Sequence, residues 1–273
     1  MEKIKPFEID ERKKIVRILF GVILAFEFYL FISNTLLHQL CEPAYKFLDF
    51  DITYWIFNFL SIPSFITQNH IIASIFDSTL FILTVCCFLF PLNRKLLISF
   101  YSIFFIYLVS RNTFGLFHEH LFNGVIFTVL PFLFSNNLTS KFLWEFARYV
   151  HYFIYFSAFL WKFFRGNYLE FDYFTNVFKF NQSSYIFNNP DSVFSSIYLS
   201  LFPHTTLLYI VGLAGLFLEA IYIIGFFTKK YDKFFFFLGF FSHIFFWFFA
   251  DAFLFPILIL NLTLLNFQTS KTN

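Results

Sequence analysis

The chain has 273 residues, of which 59% are hydrophobic and only 13% are charged, and its formal net charge is +2. Soluble domains carry about twice that charged fraction, and a water-soluble core of this size has no room for 53 phenylalanines. The composition therefore excludes an ordinary soluble fold, and without a basic patch it gives no sign of a nucleic-acid partner. It predicts an all-α, polytopic transmembrane helix bundle.

About eight apolar segments are candidates for membrane spans. In chain order they cover residues 15–33, 71–90, 96–110, 120–134, 149–164, 206–227, 234–250 and 252–267. Several are shorter than the roughly 20 residues that a perpendicular span needs, so two of them are candidates for broken or re-entrant segments. Counts of seven or nine spans stay open.

The distribution of basic residues predicts the orientation of the bundle. With eight spans, most Lys and Arg residues fall on the side of the N-terminus, in segments such as 1–14, 93–95 and 228–233. The positive-inside rule then places both termini in the cytoplasm. We predict a single membrane domain over residues 1–273, with 1–14 as a cytoplasmic segment, and we expect a multi-pass protein of the bacterial cytoplasmic membrane.

Two long segments are predicted as outer loops. Residues 34–70 contain Trp55, several phenylalanines and two prolines, which indicates an amphipathic segment at the membrane interface. Residues 165–203 alternate aromatic with polar residues, and their aromatic content argues against disorder. The three cysteines form no C-x-x-C pair, so a dithiol mechanism within the chain is not expected.

The segment 149–164 carries a histidine and a lysine inside an apolar stretch. His151 and Lys162 are 11 residues apart, close to three helical turns, and Tyr155 shares their face. Two interpretations of Lys162 stay open at this point. It is either an interface anchor that extends towards the headgroups, or a desolvated amine that acts as a base or nucleophile. Arg148 and His151 extend the polar face inwards.

Two further ionisable residues lie near the middle of predicted spans. Glu219 and His243 are each ten residues from a lysine of the turn 228–233, which puts both about 15 Å from the inner face. Their matching depth makes them candidates for a pair, either as a structural carboxylate–imidazole hydrogen bond or as part of the chemistry. No metal site is predicted, because the two histidines of the H-E-H run at 118–120 face different sides of a helix.

Three stretches resemble the HTTM family, the membrane domains similar to vitamin K-dependent gamma-carboxylase. They are R-Y-V-H-Y-F-I-Y-F-S-A-F-L-W-K-F-F-R-G-N at 148–167, L-F-L-E-A-I-Y at 216–222, and G-F-F-S-H-I-F-F-W-F-F-A-D-A-F-L-F-P at 239–256. Their order and spacing are similar to those of the family over about 142–267. The helix layout also resembles DoxX-like, redox-associated membrane proteins.

The resemblance implies a role for each of these polar residues. Lys162 takes the position of the catalytic base that removes a proton from a reduced quinone, and Glu219, His243, His151 and Arg148 support it. The implied protein has an outer-facing polar cavity and acts on a quinone, a lipid or a secreted peptide, as in peptide maturation. Reduced quinone is the cofactor that the resemblance suggests.

Two alternatives to this enzyme stay open. The chain is also consistent with a non-catalytic membrane subunit that binds a secreted peptide or a partner membrane protein through its aromatic outer loops. A DoxX-like redox-associated protein is the other alternative. Membrane lipid is an expected partner in every case.

Overall fold

The computed structural model describes residues 6–40, 59–112, 123–250 and 255–265, and every regular element within those ranges is helical. The helices are α1 Ile9–Ile32, α2 Ile62–Thr67, α3 His70–Leu89, α4 Arg94–Asn112, α5 Asn123–Val129, α6 Asn137–Arg165, α7 Tyr173–Asn188, α8 Val193–Leu201, α9 Thr205–Ala220, α10 Ile224–Phe227, α11 Asp232–Ala250 and α12 Phe255–Leu258. Short 3₁₀ turns join them at Leu37–Gln39, Leu130–Leu133, Asn167–Leu169, Ile221–Ile223 and Ile259–Leu264.

Four helical segments of the described chain are long and apolar enough to cross a membrane. They are Ile9–Gln39, His70–Leu89, Thr205–Phe227 and Asp232–Phe249. They correspond to the predicted spans at 15–33, 71–90, 206–227 and 234–250. The all-helical class is thereby confirmed, and these four helices fit a membrane protein, whereas the count of eight spans and the location of the termini stay predictions.

The other four predicted spans have more varied structures. The segment at 96–110 lies within α4, and that at 149–164 forms the second half of α6, which is 29 residues long. The segment at 120–134 is represented by the seven-residue α5 and a 3₁₀ turn that contains Pro131, which has no backbone N–H to continue an α-helix. The segment at 252–267 is represented by the four-residue α12 and a second 3₁₀ turn.

The predicted outer loops contain helices wherever the structure describes them. The stretch 165–203 contains α7 and α8, and 34–70 contains α2 and a 3₁₀ turn. Trp55, Cys41, the H-E-H run at 118–120 and Asp251 lie outside the described residues. Whether the two stretches face the outside stays a prediction.

The chain divides into two compact units. The first comprises Met1–Ala147 and Phe255–Asn273, and the second comprises Arg148–Leu254. In the first unit α3 packs against α1 and α4. In the second, α7 packs against α9 and α11 around a core of Phe178, Tyr198 and Leu208. The single membrane domain over 1–273 stays a prediction.

Two buried carboxylates of the first unit hold helices and turns in place. Asp77 accepts hydrogen bonds from the backbone N–H groups of Leu37 and His38, at 3.2 and 3.0 Å, and lies 2.7 Å from the Nδ1 atom of His38. Glu27 accepts a hydrogen bond of 2.7 Å from Thr84, which links α1 to α3. These contacts give both carboxylates a structural role.

Candidate functional site

The polar residues of α6 form one stripe along the second unit. Arg148, His151, Tyr152, Tyr155 and Lys162 follow the spacing i, i+3, i+4, i+7 and i+14, which places them on one helix face. The stripe is about 21 Å long at 1.5 Å per residue. The helix has no internal glycine or proline. It ends just before Gly166, which has a φ of 75°, in the left-handed region that favours glycine at the end of a helix.

Lys162 is joined to Glu219 by a hydrogen-bonded ion pair between its Nζ atom and Oε1 of the carboxylate. The Lys162 side chain is 25% exposed and that of Glu219 only 5%. A lysine that extends to the headgroups keeps its ammonium in water, whereas this one contacts a buried carboxylate of α9. The contact favours a specific charge pair over a simple interface anchor.

Two aromatic rings flank the Lys162 amine. Its Nζ atom lies 5.5 Å from the ring centroid of Tyr168 and 5.6 Å from that of Phe246, within the range of cation–π attraction. Burial and the neighbouring Tyr173 raise the pKa of Tyr168 to about 12. Tyr168 is therefore neutral at physiological pH, and it adds an uncharged aromatic ring beside the pair.

The second carboxylate oxygen of Glu219 is available for a ligand. Its Oε2 atom is buried and has no hydrogen-bond partner among the residues that the structure describes. A buried ion pair is stable only when its remaining lone pairs are also satisfied, and an unpaired buried oxygen usually indicates a water molecule or a ligand. The free oxygen of Glu219 can therefore accept a hydrogen bond from the hydroxyl group of a substrate.

The candidate pair between Glu219 and His243 is not formed among the residues that the structure describes. Glu219 bonds Lys162, and the Nε2 atom of His243 lies 2.5 Å from the hydroxyl of Tyr155. The number of residues from the lysine-rich turn predicts the depth of each side chain along its helix. It does not predict which neighbouring helix the side chain faces. The two residues contact α6 at positions seven residues apart.

An aromatic group surrounds His151. Tyr155 stacks on Tyr222 with ring centroids 4.2 Å apart, and the ring of His151 lies edge-on to Tyr155 at 5.0 Å and to Tyr222 at 5.6 Å. His151 is fully buried, and both of its ring nitrogens are without a hydrogen-bond partner within the described chain. The structure thus places His151 near Tyr155, as their shared helical face predicts. No carboxylate pairs with His151 in the described part of the chain.

Arg148 fixes the turn between α10 and α11. Its Nε and Nη2 atoms donate to the two oxygens of Asp232 at 2.7 and 2.6 Å, and Nη2 also donates to the backbone carbonyls of Gly225 and Thr228. The hydroxyl of Tyr152 donates to the same carboxylate at 2.9 Å. Arg148 therefore has a structural role, at the opposite end of the stripe from Lys162.

Sequence reasoning missed Asp232 and Tyr222. Asp232 follows K-K-Y and precedes another lysine, a context typical of a solvated turn. Helical spacing does point to Tyr222, because this residue lies three positions after Glu219 and therefore near the same helix face. Within the described ranges, no group of three or more His, Cys, Asp or Glu residues is arranged to hold a metal ion.

No protein-family model, curated protein sequence or solved structure matches this chain. The resemblance to the HTTM family and the DoxX-like alternative therefore stay predictions, and the site is interpreted from its own chemistry.

Proposed function

We propose that this chain is a small HTTM-type membrane enzyme in which Lys162 and Glu219 take a proton from an acidic hydroxyl of a quinol, lipid or peptide substrate. The observation that carries the proposal is the ion pair between the two side chains, in which one buried carboxylate oxygen has no hydrogen-bond partner in the described part of the chain. Intramembrane ionisable residues are costly, and such residues commonly serve function.

The pair supplies both halves of a general acid–base step. Transfer of a proton from the Lys162 ammonium to the Glu219 carboxylate would leave the amine free to accept another proton. Lys162 then takes the proton of a substrate hydroxyl, so that an O–H bond breaks and an N–H bond forms. The negative charge left on the substrate oxygen is stabilised by the new ammonium group.

The surroundings of Lys162 favour a planar aromatic substrate, hence a reduced quinone, over an acyl chain. Tyr168 and Phe246 flank the amine, and aromatic rings of this kind stack on planar groups. A reduced quinone supplies an acidic hydroxyl for this step, and its two electrons would pass to molecular oxygen in a later oxidation. Lys162 and Glu219 would face the hydroxyl, and the two rings would hold the head group.

The proposal includes the number of spans and the orientation that the basic residues predict. About eight spans with both termini in the cytoplasm put Lys162 near the outer face of a bacterial cytoplasmic membrane. A polar cavity at Lys162 would then open to the outer side, where a secreted peptide would also have access.

The test compares Lys162→Ala and Lys162→Arg in the full chain, reconstituted in lipid nanodiscs. Decylubiquinol is the probe, its binding is followed by quenching of tryptophan fluorescence, and its oxidation is followed by oxygen uptake. Both variants should lose at least about 100-fold in turnover, because arginine keeps the charge but is not a base at neutral pH. Lys162→Arg should retain more binding than Lys162→Ala.

The matched control is Lys233→Ala, which removes an exposed lysine from α11. It should behave as wild type. The proposal is overturned if both Lys162 variants remain folded and keep wild-type turnover, or if the wild-type protein neither binds nor oxidises the quinol.

A second candidate function rests on the aromatic side chains of α7. Phe180 and Phe187 are 74% and 85% exposed, and they alternate with exposed polar residues such as Ser183 and Asn188. This mixture suits a protein or peptide partner better than a uniform lipid surface. A Phe180→Ser, Phe187→Ser double variant should lose a co-purifying partner and keep quinol oxidation if α7 is a docking surface.

A further inference from the structure

A cavity of about 320 Å³ lies in the first unit, beside the start of α1 and the start of α4. Its polar wall comprises Arg12, Arg94, Ser135 and Asn137, and four apolar side chains complete it. Among the described residues, no acidic side chain lines it. Its wall is therefore cationic on one side and apolar on the other.

Arg12 is the buried cation of this cavity, with 7% of its surface exposed. Its Nη1 atom donates to the carbonyl of Ser135 at 3.2 Å and to Oδ1 of Asn137 at 2.8 Å, and Nη2 donates to the carbonyls of Phe132 and Phe134. All of these acceptors are neutral. The Nε atom is buried with no hydrogen-bond partner within the described chain.

The nearest acidic residues along α1 are engaged elsewhere. Asp10 lies 3.6 Å from the amine of Lys13, and Glu11 lies 3.9 Å from that of Lys141. Over the described ranges, no carboxylate forms a salt bridge with Arg12. A buried guanidinium without a counter-charge is costly, and Arg94 adds a second positive charge to the same wall. The site therefore lacks an anion.

We propose that this cavity binds a phosphate group. The hydrogen bonds to Ser135, Asn137, Phe132 and Phe134 leave Arg12 its Nε–H to donate, while the exposed guanidinium of Arg94 can bind phosphate oxygens through paired, charge-assisted hydrogen bonds. Two arginines together suit an anion that carries several oxygens. The apolar side of the wall accommodates the glycerol and first methylenes of a phospholipid, while the volume also admits free phosphate. Both sources present the same group to the arginines.

The experiment uses the full chain and the exposed arginine, because Arg12 also holds the turn at 132–137. Binding of phosphatidylglycerol is measured by native mass spectrometry, against monogalactosyldiacylglycerol, which has no phosphate. In parallel, the thermal unfolding midpoint is measured with inorganic phosphate and with chloride at equal ionic strength. Arg94→Gln should weaken binding of the phosphate compound about tenfold.

The matched control is Lys95→Gln, which removes the neighbouring exposed cation that does not line the cavity. It should leave binding within about twofold. Arg12→Lys keeps the charge but lacks the Nε–H donor, so it should fall between wild type and Arg94→Gln.

The two sources give different results. Preference for phosphatidylglycerol without an effect of inorganic phosphate identifies a lipid headgroup, and stabilisation by inorganic phosphate alone identifies the free ion. The proposal is overturned if wild type prefers neither phosphate compound, or if Arg94→Gln and Lys95→Gln lose binding equally, since the effect would then be general surface charge.

Discussion

Gly225 is the position where a single methyl group should do clear damage. A Cβ atom at this residue would overlap the ring of Tyr152, whose hydroxyl donates a hydrogen bond to Asp232. The ring cannot move away without breaking that hydrogen bond. We therefore expect Gly225→Ala to reduce the free energy of unfolding by about 1–3 kcal/mol, measured by thermal unfolding in detergent.

Gly21 provides the matched control for this substitution. It lies inside α1, and an added Cβ would meet its nearest neighbour, a ring carbon of Phe88, at 3.6 Å, which is ordinary contact. Gly21→Ala should leave stability unchanged or raise it by up to about 1 kcal/mol, because alanine is the better helix former. Equal losses in the two variants would show that the contact with Tyr152 is not the cause.

The two buried histidines of the second unit should respond in opposite ways to phenylalanine. His151 makes ring contacts but no hydrogen bond in the described part of the chain, so His151→Phe keeps the contacts and removes unpaired polar atoms. We expect a gain of about 1 kcal/mol. His243→Phe removes the partner of the Tyr155 hydroxyl and should cost about 1–3 kcal/mol.

Chemical denaturation of both variants checks this prediction, with oxygen uptake on decylubiquinol as the second measurement. Full activity in His151→Phe supports a packing role for this histidine. Lost activity with an intact fold would instead place His151 in the functional site, and a loss of stability would show that its nitrogens are hydrogen-bonded through water.

Among the helices, α6 is held to the turn before α11 by the Arg148–Asp232 pair. The Arg148 side chain is 2% exposed and that of Asp232 is 14% exposed. Removal of one partner leaves a buried charge alone, so Asp232→Leu should reduce the free energy of unfolding by about 3 kcal/mol. The double variant with Arg148→Met should recover part of that loss, because neither charge remains.

A double-mutant cycle by denaturant unfolding measures the coupling between the two residues. Lys233→Gln, one residue away and exposed, is the control and should change stability by less than about 0.5 kcal/mol. Additive losses in Arg148→Met and Asp232→Leu would mean that the pair does not link the two elements.

The helices show what the sequence could and could not predict. The helices α3 and α11 and the segment Thr205–Phe227 agree with the predicted spans within two residues, because hydropathy reports directly on apolar helices. The first half of α6 was missed, since Lys141 and Glu145 interrupt the apolar signal although the helix continues.

The candidate site was predicted only in part. Helical spacing placed His151 near Tyr155, and the cost of an intramembrane lysine pointed to Lys162. The partners of Lys162 and Arg148 depend on which faces three helices turn to one another, and that is a property of packing rather than of any single segment. Asp232 was hidden for the same reason, in a turn that is rich in lysine.

At the scale of the whole molecule, the predicted orientation puts two exposed parts of the second unit on opposite sides of the membrane. The segment Thr205–Phe227 has 23 residues, about 34 Å at 1.5 Å per residue, against a hydrocarbon thickness of about 30 Å. Ser196 in α8 and Lys230 in the turn after this segment are both exposed. If the segment spans, the two residues lie on opposite faces, and the basic turn lies in the cytoplasm.

Cysteine labelling in intact cells tests this orientation. Ser196→Cys and Lys230→Cys are introduced separately into a chain in which Cys41, Cys86 and Cys87 are alanine. A membrane-impermeant maleimide should label Ser196→Cys directly and Lys230→Cys only after permeabilisation. The reverse pattern would invert the predicted topology and place Lys162 near the cytoplasm, where a secreted peptide has no access. Direct labelling of both would show that Thr205–Phe227 does not cross the bilayer.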